Sequence, residues 1–284
     1  MTARRRRSGL HADVTALNGS LLRWYGVAGR AISPRETRDP WRLLVFEVMS
    51  HQTQLARAIE ALGPFVERFP DPGSLAAASP ADVLRAWAGL GYNRRALALN
   101  RLARTIVSTH GGTIPRSVAE LQRLPGIGYA TAAAVCVYAY EMPVAFIETN
   151  VRTAFIHFFF QECSRVSDAE LMPLVELTLD RESPRDWYYA LMDYGTWLKQ
   201  TQANPARRSK HHVVQSPFAG SRRQARALML RLLLKASPTA LTLGQLLESD
   251  NALAARGAEE VDTILSALVE EGFLVKEGGR YRVA

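Results

Sequence analysis

Cysteine is almost absent: there are two, Cys136 and Cys163, in 284 residues. Two thiolates cannot complete a four-cysteine iron–sulfur cluster or an all-cysteine zinc site. Far apart in sequence, they read as ordinary thiols in a reducing cytoplasm. No apolar run reaches 18 residues, so no helical membrane span is expected. The opening "MTARRRRSGLHADV" carries an arginine run with no apolar stretch behind it, and a signal peptide is not expected there. Positive charge is in excess, with 35 Lys and Arg against 27 Asp and Glu, a net +8. That balance suits a polyanionic partner, of which nucleic acid is the common case, but composition alone does not decide it. The basic segment 1–15 reads either as a solvated tail or as a phosphate-binding arm.

Apolar residues make up 48% of the chain, enough for real cores in two modest domains. The pattern is helical over most of its length. "DPWRLLVFEVMSHQTQLARAIEAL" opens with Asp39 as N-cap and Pro40 at the first helical position, and predicts one continuous helix. "SPADVLRAWAGLG" starts at Ser79-Pro80 and stops at glycine. "SVAELQRL" pairs Ser117 with Glu120 as a capping box, and "SDAELMPLVELTLD" repeats the scheme from Ser167. A basic, polar stretch over 206–216 reads as a linker. Beyond it, 217–284 carries apolar stripes at 225, 228, 229, 232 and 233, then at Val261, Ile264, Leu265, Leu268 and Val269. Two β-prone runs flank Gly278-Gly279 and predict a terminal hairpin. Helices followed by a hairpin are similar to a winged helix, a module that contacts either DNA or protein.

"LPGIGYATAAAV" breaks one helix and starts another within four residues. Gly126 and Gly128 can adopt positive φ, which lets the chain reverse there. The following helix then begins with unpaired N–H groups and a positive dipole end, which bind phosphate without reading sequence. Alone, such a turn is better explained by a purely structural connection. Glu47, inside "VFEVM", is a carboxylate between apolar neighbours, expensive to bury without a task or a partner arginine. On one continuous helix it would share a face with Ser50, His51 and Gln54.

"FEVMSHQTQ", "GLGYNRRALAL", "LPGIGYATAAAV", "FIETNVRTAF" and "ALMDYGTW" follow one another in this order. Together they resemble the helix–hairpin–helix DNA glycosylase superfamily, most closely its adenine-mismatch branch, over roughly residues 16 to 200. The resemblance implies an all-α, two-lobed glycosylase fold, with a small C-terminal winged-helix-like domain beyond it. A six-helix barrel lobe would span 38–145, and 16–37 with 146–205 would form the second lobe.

The resemblance implies that Glu47 is the general acid that protonates a departing base, helped by a burial-raised pKa. It implies that His51 and Gln52 fill the gap left by the extruded base, with histidine where glutamine is usual; a solvated polar face is the plainer alternative. It places Glu148 where the family has aspartate, as counter-charge to a cationic sugar. A carboxylate at a helix N-terminus is expected to stay ionised. The arm is longer by one methylene, and a misplacement of about 1 Å can cost about 100-fold in rate. The site is then remodelled around glutamate, adapted to another substrate, or weak. Asn150 matches the asparagine that steadies this carboxylate, unless it is a simple N-cap.

In the hairpin, Pro125, Gly126, Ile127, Gly128, Ala130 and Thr131 match the phosphate-gripping turn. Ala130 stands where strand-nicking relatives carry a Schiff-base lysine, which implies simple hydrolysis without lyase chemistry. Tyr129 falls one residue before the position of a tyrosine in several adenine-branch members, and one residue turns a side chain by about 100°. Arg94 and Arg95 are phosphate-contact candidates or a solvated patch. After "ALMDYGTW" most relatives place four cysteines around a cluster, whereas this chain has none there, so no cofactor is expected. The basic residues Arg207, Arg208 and Lys210 would supply the DNA clamp instead. His211-His212 without further ligands does not make a metal site.

The sequence therefore points to a monomeric, monofunctional DNA glycosylase whose partner is double-stranded DNA bearing a mismatch or lesion. Adenine is the first target base. A thymine or uracil mismatch enzyme and a non-catalytic lesion-binding protein are the alternatives.

Overall fold

Helix starts follow the caps read from the sequence. In the computed structural model, which describes residues 17–284, α1 covers 17–28 and α2 covers Pro40–Ser50, the latter capped by Asp39 Oδ1 on the Trp41 amide at 2.9 Å. The arginine segment 1–15 lies outside the described residues. Then come α3 (Leu55–Arg68), α4 (Pro72–Ala77), α5 (Pro80–Ala86), α6 (Arg94–His110), α7 (Val118–Leu121), α8 (Tyr129–Tyr140), α9 (Thr149–Phe159), α10 (Asp168–Thr178) and α11 (Pro184–Thr201). Ser79 caps α5 and Ser117 caps α7, while Ser167 and Glu170 close a reciprocal capping box on α10. The chain ends in α12 (Arg222–Ala236), β1 (Leu241–Thr242), α13 (Leu243–Ser249), α14 (Asn251–Ala254), α15 (Ala258–Glu270), β2 (Leu274–Glu277) and β3 (Arg280–Val283).

The continuous helix expected over 39–62 is two helices. α2 ends at Ser50, and His51–Gln54 form a turn with Gln52 in the left-handed region at φ +53°. The cause is Arg95, 45 positions downstream of Ser50. Its guanidinium donates to the carbonyls of Val48, Met49 and His51 at 2.5–2.9 Å and to Thr53 Oγ1 at 2.9 Å. Val48 and Met49 carry carbonyls of the last turn of α2, which have no partner inside the helix, and His51 is the first residue beyond it. A local hydrophobic period cannot reveal a cap delivered from another helix. His51 and Gln54 consequently do not share the face of Glu47.

Contacts divide the chain into two compact units, residues up to Glu47 with Ile114–Val214, and Val48–Thr113 with Gln215–Ala284. These bounds fall elsewhere than the lobes expected from the sequence. The hairpin and α8 join the first unit because Ala133, Ala134, Val137 and Tyr138 pack into the same core as Phe146, Val151, Phe155, Trp187 and Tyr188. The basic stretch after α11 also joins it. Pro205–Arg208 form a 3₁₀ turn, Arg208 donates to Phe160 O at 2.7 Å, and the Val166 amide donates to Arg208 O at 2.8 Å. Where a free linker was expected, the chain is bound to the loop after α9.

In the second unit, Asn100 of α6 donates to Leu75 O of α4 at 2.6 Å, and Phe65 and Trp87 meet edge to face at 5.8 Å. The C-terminal segment belongs to the same unit. Its sheet has the order β1-β3-β2, all antiparallel, and β2 and β3 are joined at Gly278 and Gly279, both at positive φ as a tight hairpin requires. Val261, Ile264, Leu265 and Leu268 of the stripe read from the sequence are fully covered in α15, while Val269 is only partly buried. The fold is therefore all-helical apart from this small sheet.

Candidate active site

Residues 141–148 form an irregular segment between α8 and α9, opening with Glu141 in the left-handed region at φ +54°. Two tyrosines hold this segment. The Phe146 amide donates to Tyr188 Oη at 2.8 Å, and Tyr129 Oη donates to Ala145 O at 2.9 Å. The segment delivers Glu148 to the N-cap of α9, with β-region φ/ψ of −107° and 172°. Its carboxylate makes no capping hydrogen bond. Burial pushes its pKa up to about 7, while the charges of Arg152 and Lys199 pull the other way. The expectation that the helix dipole keeps it ionised is corrected here. A carboxylate that loses water without gaining amide donors is raised, whatever its position along the helix.

Glu47 lies on the last turns of α2, 8% exposed. Its pKa stands well above the usual carboxylate range, first because it is buried and second because the charge of Glu148 opposes ionisation. Among the described residues it has no ion pair, so none of their arginines is its partner. Two carboxyl groups within electrostatic reach of each other, in a place that disfavours charge, hold protons as a pair.

Asn150 sits in the first turn of α9, inside the cap, so it is not itself the N-cap. Its Oδ1 is buried without a partner, and its Nδ2 has only the Met192 sulfur at 3.9 Å. α11 crosses directly over its backbone. A Cβ on Gly195 would come within 2.3 Å of Asn150 O, so only glycine fits. Asp193, two residues earlier on α11, is 2% exposed and accepts from Arg30 and Arg35 at 2.6–2.9 Å. The "MDYG" block thus seats α11 against the start of α9 and ties it to the residues before α2. Sequence reasoning used this block only to recognise a motif. The need for glycine at an approach of two helices was its available signal.

Arg185 was missed altogether. Though 6% exposed, it donates to Tyr138 O at 2.8 Å and to the carbonyls of Arg35 and Thr37 at 2.5 and 2.7 Å. No local pattern marks an arginine for that task.

The hairpin turns through Gly126 at φ +80°; Gly128, free to take positive φ as well, is extended at φ −87° and serves as N-cap of α8. Pro125 is partly buried, Gly126 and Gly128 are exposed, and Ile127 is buried beneath the turn. Ala130 is partly buried and Thr131 is 5% exposed, so the threonine contributes its helix-start backbone rather than its side chain. Tyr129 is 44% exposed and its hydroxyl is engaged on Ala145 O, which leaves it a support of the 141–148 segment.

His51 and Gln52 are exposed on the turn after α2. Arg94 and Arg95 are not a free basic patch. Arg94 makes a two-pronged ion pair with Glu271 at 2.7 Å, and Arg95 is the cap of α2 described above, its Nε buried without a partner. Of the basic loop, Arg207 is exposed, Arg208 holds the loop after α9, and Lys210 lies 3.8 Å from Glu170. His211 faces Asp168 at 3.8 Å. Cys136 is buried in α8 and Cys163 is exposed. Two cysteines cannot supply a four-cysteine donor set, and the residues after α11 do not fit a cluster.

Residues 45–181 match the HhH-GPD superfamily of base excision DNA repair proteins. The adenine DNA glycosylase of Mycobacterium tuberculosis is 43% identical over 134 residues, which cover 47% of this chain and 44% of that one. The human adenine DNA glycosylase is 33% identical over 196 residues, 65% of this chain and 36% of that one. The aligned part thus spans less than half the length of these relatives. A thermostable thymine-DNA glycosylase has a similar fold, with TM-score 0.61 and 21% identity over 68% of this chain and 91% of that one. So has endonuclease III from a non-covalent DNA complex, with TM-score 0.56 and 19% identity over 72% and 90%. Through residues 45–181, the chain is similar to the HhH-GPD superfamily of base excision DNA repair proteins.

Proposed function

We propose that the chain is a monofunctional DNA glycosylase that flips a mismatched or damaged base out of duplex DNA and hydrolyses its N-glycosidic bond, with adenine as the first target. The observation that carries this reading is the buried pair Glu47 and Glu148. Burial raises both groups, and the charge of Glu148 further opposes ionisation of Glu47. Near neutral pH one holds a proton while the other can be ionised, the division that base removal requires.

In this mechanism Glu47 donates its proton to a ring nitrogen of the base as the bond from C1′ to the base breaks. The bonding electrons leave with the base. Ionised Glu148 faces the resulting sugar cation. Water then adds to C1′, and its proton returns to the Glu47 carboxylate. Asn150 steadies the backbone that carries Glu148. The amides of Gly128, Tyr129 and Ala130 at the start of α8, with the exposed turn at Gly126, grip a phosphate. His51 and Gln52 occupy the space the base vacates, and Arg207 and Lys210 add backbone contacts. With alanine at position 130, no lysine of the hairpin attacks the sugar, and strand nicking by that route does not follow.

The test is a set of duplex oligonucleotides bearing adenine opposite guanine, adenine opposite oxidised guanine, thymine opposite guanine, uracil or hypoxanthine. Each is incubated with the protein and then treated with alkali. Adenine release with little cleavage before alkali is expected. Binding of these duplexes with no release of any base would leave a lesion-binding protein and overturn the proposal.

A further inference from the structure

The buried pair has a neighbour without an assigned task. Tyr138, near the end of α8, is 2% exposed. Its ring lies flat on Tyr189 at 4.6 Å and 7°, and edge-on to Phe146 at 6.3 Å. Its carbonyl is held by Arg185 at 2.8 Å. Ring and backbone are both fixed, yet the hydroxyl is buried with no hydrogen-bond partner among the described residues. Phenylalanine would keep both ring contacts and avoid the cost of an unpaired hydroxyl. Such a group in a native fold calls for a partner in another state of the site.

The other groups around it are engaged or charged. Tyr188 Oη is taken up by the carbonyls of Val144 and Phe146, and Arg152 of α9 is paired bidentately with Asp168 at 2.7 Å. Arg35 lies over the Tyr189 ring at 4.5 Å and binds Asp193. Lys199 of α11 adds positive charge near Glu148. Burial raises the Tyr138 hydroxyl first, and the charges of Glu148 and then Glu47 raise it further, so it stays a neutral donor. Phe146, which the ring touches, is two residues from Glu148, whose carboxylate has no capping bond.

We propose that Tyr138 is a positioning residue whose hydroxyl donates a hydrogen bond to the ionised Glu148 carboxylate, steadying its long arm and deciding which of the two acids keeps the proton. A donor to the charged form favours that form. Glu148 then ionises in preference to Glu47, and Glu47 is left protonated. The proposal rests on Glu47 and Glu148 being the reacting pair, but its test does not require turnover.

The experiment follows the side-chain carboxyl carbons of ¹³C-labelled glutamate by NMR across pH, in the wild type and in Tyr138→Phe. Signals are assigned with Glu47→Gln and Glu148→Gln. In Tyr138→Phe the Glu148 midpoint is expected to rise by about one unit, the size of one lost hydrogen bond to a charged group. The acidic limb of base release, where activity rises as Glu148 ionises, should move up with it, while DNA affinity changes less than about twofold, because a positioning role touches only the proton balance. In the wild type, the Tyr138 ring-carbon signal should titrate with the Glu148 midpoint, a readout that needs no variant. Unchanged midpoints, or a Tyr138 signal flat through the Glu148 midpoint, overturn the proposal. A shifted midpoint in a protein that releases no base upholds Tyr138 and removes the glycosylase reading instead.

Discussion

Glu148 in the first unit and Glu271 in the second carry the same side chain and are driven in opposite directions. Glu271 accepts four bonds from Arg94 and Arg226 at 2.6–2.9 Å, and these donors, Arg94 foremost, hold its pKa down at about 2. Glu148 has no ion pair among the described residues, and burial pushes it up to about 7. The difference lies in the partners and not in the residue. Paired by two guanidinium groups, a carboxylate ties α15 to α6 and α12 and remains ionised. Left without donors, it can take up or release a proton near neutrality, which is what chemistry at that pH needs.

The strongest way to break this contrast is Glu148→Gln. Base release should fall by about 10²–10³-fold, as for loss of one charge-stabilising group at a transition state. Stability should move the other way. The folded pKa of Glu148 lies above its unfolded value, so the folded form binds more protons between them. Its ionisation therefore costs stability as pH rises from about 4.5 to about 7. Glutamine removes that cost, so thermal unfolding of the variant should gain on the wild type above pH 7, by on the order of 2–3 kcal/mol, and not below pH 4. A constant difference across pH would refute the assignment.

Gly195→Ala comes next. A Cβ at 2.3 Å from Asn150 O must push α11 off α9. Overpacking of this kind costs about 1–3 kcal/mol. Since the shift falls at the start of α9, base release should drop together with stability, by about 100-fold for a displacement near 1 Å. Retained activity with lowered stability would separate the α11 crossing from the site.

Glu271→Gln gives the smallest change and sharpens the contrast. Here the folded pKa lies below the unfolded one, so the stabilisation is present above about pH 4.5 and is lost as pH falls towards 2. A loss of about 1 kcal/mol at pH 7 is expected after allowance for the exposure of Arg94, whose side chain is 72% accessible. Base release should stay within about twofold, since the residue belongs to packing and not to proton transfer. Denaturant unfolding at pH 7 and at pH 3 checks the sign.

Caps, hairpins and stripes were legible in the sequence because they depend on neighbours a few positions apart. Asp39-Pro40, the Ser167–Glu170 box, the Gly278-Gly279 turn and the α15 stripe are of that kind. Glu47 and Glu148 were legible as carboxylates in apolar or motif surroundings. Their balance of charge was not, because burial raises Glu148 against the charges of Arg152 and Lys199 and no local rule gives burial. The break after Ser50, the engagement of Arg94 on Glu271 and the role of Arg185 all depend on partners tens to more than a hundred positions away. The C-terminal segment read as a separate module for the same reason, since Arg94 and Glu271 are 177 positions apart.

The most direct test of the central claim is the single-turnover rate of base release by Glu47→Gln on the duplex that the wild type processes fastest. Glutamine keeps the shape and removes the proton that leaves with the base. The account predicts a loss of about 10²–10⁴-fold with DNA binding retained, the range for a missing general acid. Release at the wild-type rate would contradict it.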